Sequence, residues 1–336
     1  LSYDLSSGPA SRRRFLALGL AAALPLAARA EKAWPDHPIR LVLGVPPGGS
    51  VDTLARALGQ RLGADLAAPV IVDNRPGASG KIATNYVAKS AADGYTLLSL
   101  GSSSPMSEAA AIATGTERPF DVLRDFESLG TIASNTYALA VNASLPIHDV
   151  HEFIAYAKAH PDTLNYGSAG VAKTDHVAGE LFAQEAGIRI VHVPFKGLGE
   201  AITQMIAGRI QCCFSALAPM APHIRAGKLR LLGVVSSQRS RMFPDAPTLA
   251  EAVPLPGYAV EAWIGFAAPA KTPPAVANRL YAEFTQLLKD DTFVNTMLVP
   301  NGLDPFARSP AEMAALYRHD LDKYTALFRK IHLKLD

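Results

Sequence analysis

Short apolar runs and amphipathic stretches alternate along most of this chain, which is the pattern of a strand–helix repeat. Ile39–Val45 is rich in β-branched residues, stops at Pro46-Pro47-Gly48-Gly49, and gives way to an amphipathic stretch over Val51–Leu66. Val70–Val72 predicts a second strand, stopped by Asn74-Arg75-Pro76-Gly77. A helix over about Gly80–Ser90 and a strand over Tyr95–Leu100 follow, with a turn at Asp93-Gly94 between them. Strands separated by helical stretches predict a parallel sheet with right-handed crossovers.

The alternation restarts at Tyr137–Val141. A helix over His148–His160 is opened by Asp149, and a short strand over Leu164–Gly167 runs into Ser168-Ala169-Gly170. Thr174–Ala186 predicts a helix with Gly187 at its end, and Glu200–Ala207 a shorter one closed by Gly208. Ile190–Val193, Ile210–Phe214 and Leu229–Val235 are further strands. After a proline-rich stretch, Val260–Ala268 is one more strand, and helices over Pro274–Lys289 and Pro310–Ile331 finish the chain. The path crosses from the first unit to the second near Thr131–Tyr137 and returns near Gly257–Trp263. The expectation is an α/β protein of two lobes joined by a double-crossing hinge. Residues 31–134 plus 258–336 make lobe 1, and residues 135–257 make lobe 2. A chain of 336 residues is long enough for both.

The N-terminus predicts an export signal over residues 1–30. Arg12, Arg13 and Arg14 precede an apolar stretch from Phe15 to Ala28, and Ala28-Arg29-Ala30 offers a small-residue cleavage site. That stretch falls short of the ~20 residues a spanning helix needs. The arginines after Ser11, followed by Phe15-Leu16, fit a twin-arginine signal. Cleavage near Ala30 would release the mature chain into the periplasm. The first thirty residues hold Arg12, Arg13, Arg14, Arg29 and Asp4. Without them, totals of 32 basic and 30 acidic residues become 28 and 29. So even a balance gives no electrostatic footprint for nucleic acid or an anionic membrane.

Enzyme and metal motifs are missing or incomplete. There is no G-x-G-x-x-G. Gly77-Ala78-Ser79-Gly80-Lys81 has the wrong glycine spacing for a phosphate loop, and Ile82 replaces its Ser or Thr. Gly101-Ser102-Ser103-Ser104-Pro105 ends in proline, so it is not a complete nucleophile elbow. The nine histidines show no metal-ligand spacing, and no cofactor is implied. Adjacent Cys212 and Cys213 lie in a predicted strand and should point to opposite faces as small buried side chains.

Two strand-to-helix turns look alike: Val45–Asp52 and Tyr166–Thr174. Each puts small residues where a helix N-terminus offers unpaired N–H donors and partial positive charge, a setting for a carboxylate or phosphate. His176, about one turn into the second helix, is placed to point back at such a cleft.

These residues resemble the Bug family of extracytoplasmic solute-binding receptors, associated with tripartite tricarboxylate transporters. Pro46–Asp52 matches P-x-G-G-x-x-D, and Asn74–Gly80 matches N-R-P-G-A-G-G with Ser79 for Gly. Asp93–Leu98 is D-G-Y-T-L-L, and His192–Gly197 is similar to H-V-P-Y-K-G. Tyr166–Gly170 leading to His176, then Ile224–Arg230, Pro247–Glu251 and Trp263–Gly265, complete a set in register.

The resemblance implies a periplasmic binding protein of the two-lobed, Venus-flytrap (type II) kind. It further implies a monomer that hands a small carboxylate to a membrane permease. Family ligands include dicarboxylates, tricarboxylates, acidic amino acids and aromatic acids. The implied contacts are Pro47, Gly48, Gly49 and Ser50 in the first turn, and Ser168, Ala169, Gly170 and Thr174 in the second, with His176 behind them. Ser102, Ser103, Phe195, Lys196 and Ser215 would be wall residues. Ala172 replaces a frequent Gly, Lys173 a small polar residue, and Ser215 a frequent Asp. Without that Asp, the ligand is expected to lack an α-amino group. Two other readings stand beside this one. An enzyme on the same fold would use His176 as base with Ser168 or Thr174, and a sensor would engage a membrane kinase.

Overall fold

The computed structural model describes residues 34–255 and 258–333; the expected export signal lies outside them. Lobe 1 begins with β1 (Ile39–Leu43), α1 (Ser50–Asp65), β2 (Val70–Asn74), α2 (Lys81–Ala88), β3 (Thr96–Gly101), α3 (Ser103–Thr114) and β4 (Phe126–Asn135). Lobe 2 holds β5 (Tyr137–Asn142), α4 (Val150–Ala159), β6 (Asn165–Ser168), α5 (Thr174–Ala186) and β7 (Val191–Pro194). It continues through α6 (Leu198–Ile206), β8 (Cys212–Ala216), α7 (Leu217–Arg225) and β9 (Leu229–Val234). The chain then returns to lobe 1 for β10 (Ala262–Pro269), α8 (Pro274–Leu288), β11 (Leu303–Arg308) and α9 (Pro310–Lys330).

The six-stranded sheet of lobe 1 runs β11-β4-β10-β3-β1-β2, and the five-stranded sheet of lobe 2 runs β7-β6-β8-β5-β9. Both sheets are mixed, where alternation alone predicted parallel ones. β1 is parallel to β2 and β3, and β6 to β7 and β8. β10 runs antiparallel to β3 and β4, and β5 antiparallel to β8 and β9. β5 and β10 enter their sheets from the other lobe rather than over a crossover helix. No helical crossover therefore obliges them to run parallel.

Only Thr136 separates β4 from β5. Its N–H donates to the Gly302 carbonyl at 3.3 Å, and its carbonyl accepts from the Leu217 N–H at 2.8 Å, so it is tied to both lobes. On the return path the Val260 N–H donates to the Val235 carbonyl at 3.3 Å. All eight residues of β10 are buried, which explains its near-continuous apolar sequence.

Cys212 and Cys213 are free thiols on opposite faces of the lobe 2 sheet. Cys212 packs with Phe153, Phe182 and Phe214, and Cys213 with Ala201, Ile202 and Met205. The first of these clusters is shared between the lobes. Met106 and Ala109 of α3, and Tyr324, Leu327 and Phe328 of α9, are buried in it beside lobe 2 residues. The last helix also packs Met313 and Tyr317 into a lobe 1 cluster with Trp263 and Phe306. Among the described residues no helix is long and apolar enough to cross a membrane.

Candidate ligand-binding site

The first turn leaves β1 at Leu43 and enters α1 at Ser50. Gly48 has φ +92°, a left-handed conformation that suits glycine. Its N–H donates to Asp52 Oδ2 at 2.9 Å. Arg56 holds the same carboxylate through Nε and Nη2 at 2.9 and 3.0 Å. Asn74 donates to Asp52 Oδ1 at 2.9 Å and to the Val45 carbonyl at 3.1 Å, which ties the end of β2 to the turn. The Arg56 hydrogen bond, with those from Gly48 and Asn74, outweighs burial and lowers the Asp52 carboxyl to about 2. The loop after β2 closes in on the other side: a Cβ on Gly44 would stand 2.8 Å from the Gly80 Cα, so the two backbones touch.

The second turn, between β6 and α5, repeats the device with other residues. The Asp175 carboxylate accepts the Ala169 N–H, and accepts the His176 N–H at 3.0 Å. Burial raises this carboxyl to about 6, against the pull of those N–H groups. Ser168 Oγ accepts the Gly170 N–H at 3.0 Å and lies 2.6 Å from His192 Nε2. His176 Nδ1 accepts the Ala172 N–H at 3.1 Å, and its ring lies against that of His192 with centroids 4.1 Å apart. Burial lowers both imidazoles, His176 to about 3 with help from the charge of His192, and His192 to about 4. Both are therefore neutral at ordinary pH. Tyr166 donates to Glu180 Oε1 at 2.7 Å beneath them.

Between the lobes lies a cleft of about 610 Å³. Lobe 1 lines it with Pro46, Val51, Lys81, Thr84, serines 102–104 and Trp263; lobe 2 lines it with Tyr137 and Val171–Thr174. Asn135, the last residue of β4, sits at the crossing. Among the described residues the lining contains two cationic side chains, Lys81 and Lys173, and no carboxylate. Burial raises the Tyr137 phenol, so it stays protonated as a donor.

Of the residues singled out from the sequence, Ser102, Ser103 and Thr174 are on the cleft wall. Pro47, Gly48, Gly49 and Ser50 lie between its lining residues Pro46 and Val51, with Gly49 exposed. Ser168, Ala169 and Gly170 sit just before the lining segment of the second turn. His176 does not face the cleft; it is 5% exposed and supports the turn from behind. Phe195, Lys196 and Ser215 are also off the wall. Phe195 packs against the Cys213 cluster, and its N–H donates to the Ser168 carbonyl at 2.9 Å. Ser215 is fully buried in β8. The residues that sequence reasoning passed over are Asp52, Arg56 and Asn74, which hold the first turn, and Lys81, Asn135, Tyr137 and Trp263 on the wall.

The Ser168–His192 contact has the spacing of a nucleophile and its base. However, Ser168 is fully buried, and its hydroxyl is already engaged with the backbone of its own turn. No described group of three or more His, Cys, Asp or Glu is arranged to hold a metal.

Residues 54–333 match the sequence pattern of the family described as "Tripartite tricarboxylate transporter family receptor". The chain is 32% identical to protein BugT of Bordetella pertussis over 302 residues, covering 90% of this chain and 91% of BugT. A solved periplasmic transporter is 33% identical with a TM-score of 0.73, covering 90% of this chain and all of that one. Rpa4515 of R. palustris, solved with adipate, is 30% identical with a TM-score of 0.71, covering 88% and 97% of the two chains. The chain shares their two-lobed α/β binding-protein fold, and it belongs to the TctC, or Bug, family of solute-binding receptors.

Proposed function

We propose that this chain is a periplasmic receptor that captures a small carboxylate between its lobes for a tripartite tricarboxylate-type permease. The observation that carries the reading is the composition of the cleft wall: two lysines, eight serine or threonine residues and, among the described residues, no acid. Two helix N-termini, α1 and α5, open on this space and add unpaired N–H donors. The bound adipate of Rpa4515 supports the same chemical class.

The ligand is a di- or tricarboxylate or an aromatic acid without an α-amino group. With Ser215 off the wall, this rests on the lining itself: among the described residues no carboxylate is there to pair an ammonium. The contacts come from Pro47–Ser50, Ser102, Ser103 and the second turn to Thr174. Ligand touching both lobes favours a closed form by its differential contacts. The lobes divide near residues 134/135 and 257/258, and the mature receptor works as a monomer.

Calorimetry of residues 31–336 with a panel of carboxylic and amino acids tests this. A ligand at a hundredfold excess over Kd adds about 2.7 kcal/mol to stability. Binding of one or a few carboxylates without turnover is expected. Tight binding of glutamate or aspartate would overturn the chemical class, and turnover of the bound acid would overturn the receptor reading.

A further inference from the structure

The cleft has a branch. Lys81, Thr84, Ser104, Ser107 and Ala111 line both the main space and a smaller pocket of about 20 Å³ behind it. The smaller pocket ends at Glu108, Arg118 and Phe120. Glu108 is the one acid there among the described residues, and it is already committed. Its carboxylate takes Arg118 Nη1 at 2.8 Å and the Tyr317 hydroxyl at 2.7 Å. The ammonium of Lys81 is different: no described residue gives it an ion-pair partner. Lys81 lines both spaces with Ser104 and Ser107, while the Thr84 hydroxyl beside them donates to the Gly80 carbonyl at 3.1 Å.

The backbone fixes that position. The Gly44–Gly80 approach holds the start of α2 against the end of β1, so Lys81, the first residue of α2, faces the cleft. Lys173 faces the same space from lobe 2. Two cations on opposing walls repel as the lobes approach, and one anionic group cannot neutralise both. A ligand with two separated anionic groups can.

We propose that Lys81 is a specificity-determining residue, which holds the second anionic group of a dianionic ligand at the mouth of this branch. The inference rests on the carboxylate-receptor reading and narrows it. The two turns and Lys173 take the first group. Lys81, with the Ser104 and Ser107 hydroxyls lining the same fork, takes the other. Its contribution is a charge-assisted contact made only by ligands long enough to reach α2 from the turns.

The test compares adipate with hexanoate, which has the same chain length and one carboxylate fewer, on the intact mature chain. The wild-type protein should prefer adipate by about tenfold or more, the effect expected of one charge-assisted hydrogen bond. That preference should shrink with added salt. Lys81→Gln should erase most of the preference and Lys81→Arg should retain it, with circular dichroism showing all three folded. A preference that survives Lys81→Gln, or a wild type that binds both acids alike, overturns the assignment of Lys81 and leaves the carboxylate receptor standing. Failure of every carboxylate to bind the wild type overturns both.

Discussion

The Gly48 N–H points at Asp52, not at the cleft: its hydrogen bond to Oδ2 spans 2.9 Å and closes the first turn on a carboxylate of its own helix. Arg56 and Asn74 hold that carboxylate in place. One N–H of the glycine turn is thus spent on keeping the others aimed. Asp52→Asn keeps the size and loses the charge that Arg56 needs. It should cost about 1.5–3 kcal/mol of stability, the range for a hydrogen bond to a charged group. Ligand affinity should fall with it, which urea unfolding and calorimetry would read. A variant equal to wild type in both would show that the turn holds itself.

Gly49 separates binding from folding. A Cβ built there meets nothing within 4 Å, and its φ of −83° suits any L-residue. It is also the N-cap of α1, where Asp is a favoured residue. Gly49→Asp should therefore fold with unchanged or slightly raised stability. Its carboxylate would repel an anion from the turn, and Kd should rise by about a hundredfold or more, as expected for about 3 kcal/mol of lost charged contact. An unchanged Kd would remove the first turn from the site.

Acid should loosen the second turn. His176 and His192 are held neutral, at about 3 and about 4, against an ordinary 6.5. As pH falls below 6.5 the unfolded chain takes up these protons before the native state does, so stability is full above 6.5 and declines toward pH 3. Asp175 works the other way. Raised from 3.8 to about 6, it protonates first in the native state and adds relative stability between those values as pH falls. Two imidazoles oppose one carboxyl, and the net slope is a loss. His176→Asn keeps an acceptor, its amide oxygen, near the Ala172 N–H but carries no titration. Its unfolding free energy should drop less than that of wild type between pH 7.5 and 4.5.

Ala172 is a non-glycine residue in the left-handed region, at φ +57°. Its Cβ makes that conformation costly by about 1–2 kcal/mol. Ala172→Gly removes the cost but gives the unfolded chain more freedom to lose, about 0.4–1 kcal/mol. A net gain of about 0.5–1 kcal/mol in chemical denaturation is expected. A loss would mean that the Ala methyl packs more productively than the backbone strains.

The strands and helices that alternate are legible because their periodicity is local. Thr174–Ala186 is a helix between those residues, with Gly187 left-handed at its end as its sequence predicts. What escaped was set by partners far away in the chain. β4, over Phe126–Asn135, has no clean alternation because it lies between β10 and β11, and its register with β10 is broken by bulges. α3 starts at Ser103 with Pro105 in its first turn, a position proline tolerates, though a failed nucleophile elbow was the nearer reading. Asp52 and Asn74 were visible as motif letters, but their contact spans 22 residues and joins two elements. Helical spacing pointed His176 back at the cleft, because it cannot see His192 arriving from β7 to cover it.

The last helix has its two ends in different bodies. Met313 and Tyr317 are seated in lobe 1, while Tyr324, Leu327 and Phe328 are seated among lobe 2 side chains. Neither lobe can be excised without cutting open a core that the other completes. The helix α9 is a strut between the two bodies. The cluster that takes in Leu327 and Phe328 also takes in Met106 and Ala110 of the cleft wall, so α9 braces the wall and the second lobe together. Trimming Leu327 or Phe328 would change how readily the lobes shut without removing any side chain that lines the cleft.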